Sequence, residues 1–556
     1  MNSKYAGKTP EEILDMLSVK QKVGQLLSTG ICCWEECETT MKSGVGNITA
    51  VWGHDKEALD RFKQDIARLQ AEADIPYFVA VDMETGVGQT VHDKSIATEF
   101  AEQMAIGAIA DMEDAKRLAY EEGRVVASEA SALGWNVAFC PVVDVNVNPE
   151  NPITNIRSYG ETGQIVATLA CEYIRGLQEG GLVMGTAKHY PGGGMQFTDS
   201  HFSLEKTKTT KEEMENVHLY PFRKASEAGV GGMMCNHAIY DMYDADNIAT
   251  TSYAIMTKLL REDIGFEGVM YTDAMGMAGL TEQEKGDADV NPHLSTIRAI
   301  NAGCDVILGP YDAWAAPDAL VKAVEDGVLS MDAVNRACLR VLKAKYNLGL
   351  FDYENRKPLP KMDGWSVARE IAKKSVTLIK NKNDLVPYNF EGKKVLVLEP
   401  SHPADRLSFG LYSNITLIKG ALEKYVPQAQ LAHFSADITE EQAAELAEKA
   451  ASADVVVFGT SFRSRSGQVG LLTAAQVDAL RRIHDANPCM IAVVSNPYVS
   501  AQLGFVDSIV CCYSTSAVAV EAAVDVLVGR EKALGVLRET IPEHLDGSKV
   551  NIVDHG

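Results

Sequence analysis

Between residues 20 and 350 the chain alternates short runs that are apolar from end to end with stretches of helical periodicity. The runs are Tyr77–Asp82, Val137–Val145, Leu182–Lys188, Gly231–His237, Gly268–Asp273 and Asp305–Gly309; helical patterns lie between them at Ala115–Leu133, Gly163–Glu179, Lys211–Ala228 and Tyr253–Ile264. A strand with no polar face must be covered on both sides. Such strands alternating with helices therefore imply a parallel sheet wrapped by helices. Six or more units in roughly 330 residues fit a (β/α)8-type, TIM-like barrel best. An open doubly wound sheet is the alternative, and the lack of a Gly-x-Gly-x-x-Gly turn after an early strand counts against its dinucleotide-binding form.

A helical stretch, Met331–Leu348, closes this region, and a polar segment bearing two prolines, Asp352 to Gly364, reads as a linker. A second α/β pattern follows, with strand-like runs Lys394–Leu398, Asp454–Gly459, Met490–Ser495 and Ser508–Cys512 and helices Ala443–Ala451, Ala474–Ala486 and Val518–Gly529. The expected organisation is a catalytic barrel over 1–350, a linker over 351–375 and a smaller doubly wound α/β sandwich over 376–556. At 556 residues the chain is too long for one core. Its net charge of −24, with no basic stripe to offset it, argues against nucleic acid or an anionic membrane as partner. The opening residues Met1 to Lys8 do not read as a signal peptide, and no run reaches the apolar length expected of a membrane span. Eleven cysteines, an odd number without disulfide-framework or zinc spacing, read as thiols in a reducing cytoplasm. No cofactor or metal is called for; a small carbohydrate is the expected partner, and a homodimer is compatible with the sequence.

Chemistry in a parallel barrel collects where the strands finish. Here the runs end on Asp82-Met83-Glu84, on Asp144-Val145-Asn146, on Lys188-His189, on Asn236-His237 and on Asp273. One polar ending is commonplace; five suggest a ligand with several hydroxyls. After Lys188-His189 a glycine-rich loop delivers Asp199-Ser200-His201. In an extended loop, residues i and i+2 point the same way, so the carboxylate can favour and orient a protonated imidazole. A nucleophile and a proton donor across a hydroxyl-rich pocket are what glycoside hydrolysis needs. Asp273 is placed to attack and His201 to protonate, although a helix-capping Asp and an ordinary polar turn are the bland readings of the two motifs.

Taken in order, these motifs resemble glycoside hydrolase family 3, closest to its β-N-acetylglucosaminidase branch. The resemblance is carried by Ser18–Leu27, Gly44-Val45-Gly46, Asp82-Met83-Glu84, Asp144 to Asn146, Arg157 to Glu161, Lys188 to Gly192, Asp199 to His201 and Gly265 to Asp273. It implies a retaining exo-β-glycosidase with Asp273 as nucleophile, Asp199 and His201 as the acid/base dyad, and Asp82, Arg157, Lys188 and His189 holding sugar hydroxyls. Many relatives take a Glu from a second-domain loop as acid/base. The corresponding loop here, Gly459 to Leu471, contains no carboxylate, and its Arg463 and Arg465 read as solvated, with an anionic ligand as the alternative.

Two departures bear on substrate. The family's Pro-Gly-His-Gly-Asp is Pro191-Gly192-Gly193-Gly194-Met195 here, and both arginines of its Asp-x-Glu-Gly-Gly-Arg-Val-x-Arg motif are replaced in Asp82 to Thr90. The substrate expected is a β-N-acetylhexosaminide or related glycoside. The alternatives are β-glucoside or β-xyloside cleavage, and phosphorolysis, since a histidine base is neutral after giving up its proton and does not repel phosphate. Outside this class stand an inactive sugar-binding barrel and a zinc site built from His189, His201 and His237 with Asp82 or Asp273.

Overall fold

The computed structural model describes residues 4, 5, 7–50, 56–91, 93–283, 291–400, 418–460 and 471–545. The chain divides into two compact units. The first comprises Met1–Ala97, Ala119–Val145 and Ala170–Met362, and the second Thr98–Leu118, Asn146–Leu169 and Asp363–Gly556.

The first unit holds eight parallel strands: β1 (Leu27–Ile31), β2 (Asn47–Ala50), β3 (Phe78–Val81), β4 (Val137–Ala138), β5 (Met184–Tyr190), β6 (Gly232–Cys235), β7 (Val269–Ala274) and β8 (Val306–Leu308). They close in the order β1-β8-β7-β6-β5-β4-β3-β2, a complete barrel as the alternation of runs implies. Its first two strands were not legible as runs, because Ser28, Thr29 and Gly30, and Asn47 and Thr49, break their apolar character. The Ser28 and Thr49 hydroxyls meet across this pair at 3.2 Å, so the polarity is satisfied within the barrel. The expected strand Val137–Val145 is only two residues long; Pro141 has no N–H to continue a ladder, and a single bridge joins Val142 to Lys188. The Lys211–Ala228 helix is interrupted by a π-turn at Met214–His218, and Ala254–Asp263 is π-helical throughout.

Alternate residues on the strands fill the barrel. Phe78 and Ala80, Val137 and Phe139, Val269 and Tyr271, and Val306 and Leu308 form one buried cluster, with Phe139 and Tyr271 in edge contact at 5.4 Å. Each large side chain so buried contributes about 1.5–3 kcal/mol. Val341, Leu348 and Leu350 join the same cluster from the helix Met331–Asn347 and the turn after it. That helix starts where Ser330 caps the Ala333 N–H, as Ser18 and Gln21 form a capping box on Val19–Gly24.

The second unit is a six-stranded sheet. Its strands are β9 (Thr377–Asn381), β10 (Val395–Pro400), β11 (Gln430–Phe434), β12 (Val455–Gly459), β13 (Met490–Val494) and β14 (Ser508–Cys511), in the order β9-β14-β13-β12-β10-β11. All pairs are parallel except β9 with β14. β12, β13 and β14 are buried along their whole length, as apolar runs require. Helices Glu440–Ala451 and Ala474–Ala486 each open with a Thr/Gln capping box. Among the described residues no helix is long and apolar enough to cross a membrane.

Helix Met331–Asn347 also inserts a lysine into the barrel unit. The Lys345 Nζ is fully buried and donates to Gln25 Oε1 at 2.7 Å and to the Gly46 carbonyl at 2.9 Å. Two acceptors suit a neutral amine, which has two N–H groups, and burial lowers its pKa to about 7. In the unfolded chain the amine titrates at about 10.4. The cost of burying Lys345 is therefore full below pH 7 and falls as pH rises toward the unfolded value. We expect the urea stability of the wild type, relative to Lys345→Met, to rise steadily between pH 7 and 10. A pH-independent difference between the two proteins would contradict this.

Candidate active site

Functional side chains stand at the carboxyl ends of β3 to β7, and two of them sit where strand pairing loses register. Between β5 and β6 the register shifts from Lys188 to Tyr190, across His189. Between β7 and β8 it shifts from Tyr271 to Ala274, across Asp273. Such irregularities turn side chains that would alternate in a regular strand, and re-aim them at the barrel mouth.

Asp273 is half-buried, and one of its oxygens accepts from the Ala274 N–H at 2.8 Å. Burial pushes its carboxyl up, but the imidazoles of His189, His237 and His201 and that N–H hold it below the usual range. It is an ionised carboxylate at neutral pH.

The three imidazoles are each fixed at Nδ1. His189 Nδ1 lies 2.8 Å from Asp144 Oδ2, His201 Nδ1 2.7 Å from Asp199 Oδ1, and His237 Nδ1 2.6 Å from Thr250 Oγ1. His237 also places Nε2 3.1 Å from the Ala274 carbonyl. Burial lowers its pKa, so it is a neutral ring that supports the β7 end. The zinc arrangement of His189, His201 and His237 is not formed; among the described residues only Cys32, Cys33 and Glu36 bring three potential ligand atoms within 4.8 Å of one another.

Asp199 and His201 belong to a loop pinned from two sides. The Asp199 carboxylate takes the His201 N–H at 2.9 Å as well as its ring. The Gly279 N–H donates to the Ser200 carbonyl at 2.9 Å and the Ala278 N–H to the His201 carbonyl at 3.3 Å. A Cβ on Gly279 would lie 2.7 Å from the His237 carbonyl oxygen, so only glycine allows the helix Ala278–Gln283 to start against this loop.

Lys188 is buried with its Nζ 2.9 Å from Asp82 Oδ1 and 2.7 Å from Glu84 Oε1. Glu84 is buried, whereas the Asp82 side chain is 32% exposed and is the acid of the pair that a ligand can reach. The structure thus gathers Asp82, Lys188, His189, Asp199, His201 and Asp273 at one end of the barrel. Arg157 belongs to the second unit, buried in the turn Asn155–Arg157 with its Nη1 on the Ile153 carbonyl at 2.9 Å. Glu161, the other acid of that stretch, accepts from the Tyr498 hydroxyl at 2.8 Å and the Thr540 N–H at 2.9 Å. Arg463 and Arg465 lie outside the described residues.

Asp144 has no site role that the sequence alone reveals. It was visible as a strand ending, but nothing in its spacing reveals that it meets His189 and Gly193, almost fifty residues on. The partnership of Glu84 with Lys188 was hidden for the same reason.

Residues 18–344 match the glycosyl hydrolase family 3 N terminal domain, and residues 376–555 match the family's C-terminal domain. The chain is 29% identical over 502 residues to a beta-N-acetylglucosaminidase/beta-glucosidase of Cellulomonas fimi, covering 84% of each chain. Among solved structures it is similar to a family 3 beta-N-acetylglucosaminidase from Paenibacillus sp., with a TM-score of 0.81 and 28% identity over 95% of this chain and 99% of that one. It is also similar to a beta-glucoside phosphorylase, BglX, with a TM-score of 0.79 and 25% identity over 95% of each chain.

The Lys188 pairing makes its own prediction. Lys188→Met leaves two carboxylates facing each other without a cation, which costs about 3–5 kcal/mol when both are charged. Adding Glu84→Gln removes the buried carboxylate left without its cation, so much of the lost thermal stability should return. No recovery would mean that the ion pair is not what the site depends on.

Proposed function

The chain belongs to glycosyl hydrolase family 3 and is a glycoside hydrolase; on that premise we propose that it removes terminal, non-reducing β-linked sugars by a retaining, two-step mechanism at the barrel mouth. The observation that carries this reading is the Asp199–His201 dyad beside a carboxylate, Asp273, that is held ionised among imidazoles.

In the first step Asp273 attacks the anomeric carbon and the bond to the leaving oxygen breaks. His201, its Nδ1 held by Asp199, gives that oxygen a proton from Nε2. In the second step the now neutral imidazole takes a proton from water, whose oxygen attacks the anomeric carbon and releases Asp273. Asp82, with Lys188 and His189 beside it, supplies hydrogen bonds to the hydroxyls of the sugar. Arg157 is assigned to the same task on the family resemblance. The preferred substrate is a β-N-acetylhexosaminide, supported by the names of the Cellulomonas and Paenibacillus relatives.

A second reading is β-glucoside cleavage, with phosphate as the acceptor. It is supported by the likeness to a β-glucoside phosphorylase, and a histidine base, neutral after giving up its proton in the first step, would not repel the phosphate. At Gly193, where the family carries histidine, a Cβ would lie 3.0 Å from the Asn236 amide nitrogen, so the Asn236 side chain stands in the space a larger residue would need. All eleven cysteines are free, which suits a reducing compartment such as the cytoplasm.

Screening p-nitrophenyl β-glycosides with and without phosphate separates the readings, since phosphorolysis yields a sugar 1-phosphate. Asp273→Asn should abolish turnover in a folded protein; substantial residual activity, or inversion at the anomeric carbon, would sink the mechanism. His201→Ala should be most impaired on poor leaving groups and partly restored by azide with formation of a β-glycosyl azide. Equal impairment on all leaving groups with no azide effect would place the acid elsewhere.

A further inference from the structure

We propose that Asp144 is a positioning residue that sets both the sugar-binding edge of His189 and the root of the loop carrying His201. The side chain is completely buried, so it does not itself reach substrate. Its two oxygens divide their work. Oδ2 accepts from the His189 backbone N–H at 3.2 Å and faces His189 Nδ1 at 2.8 Å. Oδ1 accepts from the Gly193 N–H at 2.6 Å.

The first set of contacts determines how His189 meets a ligand. A carboxylate is an acceptor only, so the nitrogen opposite it carries a proton. Nδ1 is therefore a donor to Asp144, and Nε2 is the ring nitrogen left to deal with a sugar hydroxyl. The backbone contact stops the residue from turning as a whole. Burial pushes the Asp144 carboxyl up, but His189 and the two N–H groups hold it below the usual range, which keeps it an acceptor at neutral pH.

The second contact acts on the acid/base loop. Gly193 lies in the glycine-rich segment between His189 and Asp199. The preceding Gly192 has φ of +135°, and its carbonyl accepts from the Tyr240 hydroxyl at 2.6 Å. Gly193 then gives its N–H to Asp144, and a Cβ on Gly193 would itself lie 3.5 Å from Asp144 Oδ1. The loop that ends in His201 thus leaves the barrel from two fixed backbone atoms, one of them held by Asp144. One carboxylate couples the group that grips the sugar to the segment that delivers the proton.

This inference rests on the assignment of the barrel mouth as the glycosidase site, and the test keeps the two apart. Asp144→Asn, His189→Gln and the double variant are compared on an activated aryl β-glycoside, whose leaving group needs no acid, and on an alkyl β-glycoside, which does. Asp144→Asn should lose roughly 10- to 100-fold in kcat/KM on the aryl substrate. The double variant should be no worse there than His189→Gln alone, because Asp144 acts through that ring. On the alkyl substrate Asp144→Asn should lose at least a further tenfold in kcat, which His189→Gln does not. Additive losses on the aryl substrate, or a variant within twofold of wild type on both, would overturn the proposal. Because Asn at a buried carboxylate position can prevent folding, a second measurement uses the wild-type protein. With 15N-histidine labelling, the resonance missing in His189→Gln should report a protonated Nδ1 from pH 5 to 8; an unprotonated Nδ1 there would equally overturn it. Activity retained in Asp273→Asn would instead remove the glycosidase assignment on which the inference stands.

Discussion

A desolvated charge must be matched by an opposite one, and the mouth of this barrel is organised by that requirement. Lys188 is shared between Asp82 and Glu84, His189 faces Asp144, and His201 faces Asp199. Each acid that would be costly to bury is paired with a base at hydrogen-bond distance. Asp273 has a different environment, among three imidazoles and one N–H rather than opposite a single cation. A nucleophile locked in a tight ion pair would be held by its partner. Asp273 is held ionised without such a partner.

The backbone serves the same arrangement. Regular parallel strands would point successive side chains to opposite faces, which cannot deliver both Lys188 and His189 to one pocket. The loss of register between β5 and β6 at that point, and between β7 and β8 around Asp273, reorients the strand ends. Glycines complete the geometry where the backbone must come close to its neighbours: Gly279 admits the helix after β7 against the acid loop, and Gly193 brings its N–H to the Asp144 carboxylate.

Other buried charges belong to packing. Asp305 precedes β8 and is held by Arg261 at 2.7 Å and Arg340 at 3.0 Å, while Lys345 is enclosed among Gln25, Gly46 and the ring of Phe78. Gln25, Gly46, Phe78 and Asp305 stand at or just before the amino ends of their strands, whereas the paired acids and imidazoles stand at the carboxyl ends. The division into a stabilising end and a chemical end is inherent in a parallel barrel, because only the loops leaving the strands converge over one opening.

The sequence by itself determined the parallel barrel, through strands such as Phe78–Val81 and Val306–Leu308 that have no polar face and so need cover on both sides. It determined the second α/β unit by the same logic. The motif order of Asp82, Lys188-His189, Asp199-Ser200-His201 and Asp273 was also legible, since a run of polar strand endings is a local pattern. Strands β1 and β2 were not, because polar residues interrupt their runs; two of these, Ser28 and Thr49, meet each other inside the barrel. Only the tertiary structure decided which charges are partners. Glu84 with Lys188 and Asp144 with His189 and Gly193 are contacts between the ends of neighbouring or nearby strands, set by barrel closure and by local loss of register. No spacing along the chain encodes them, because the strands that meet are separated by whole helices whose length has no bearing on which side chains face each other.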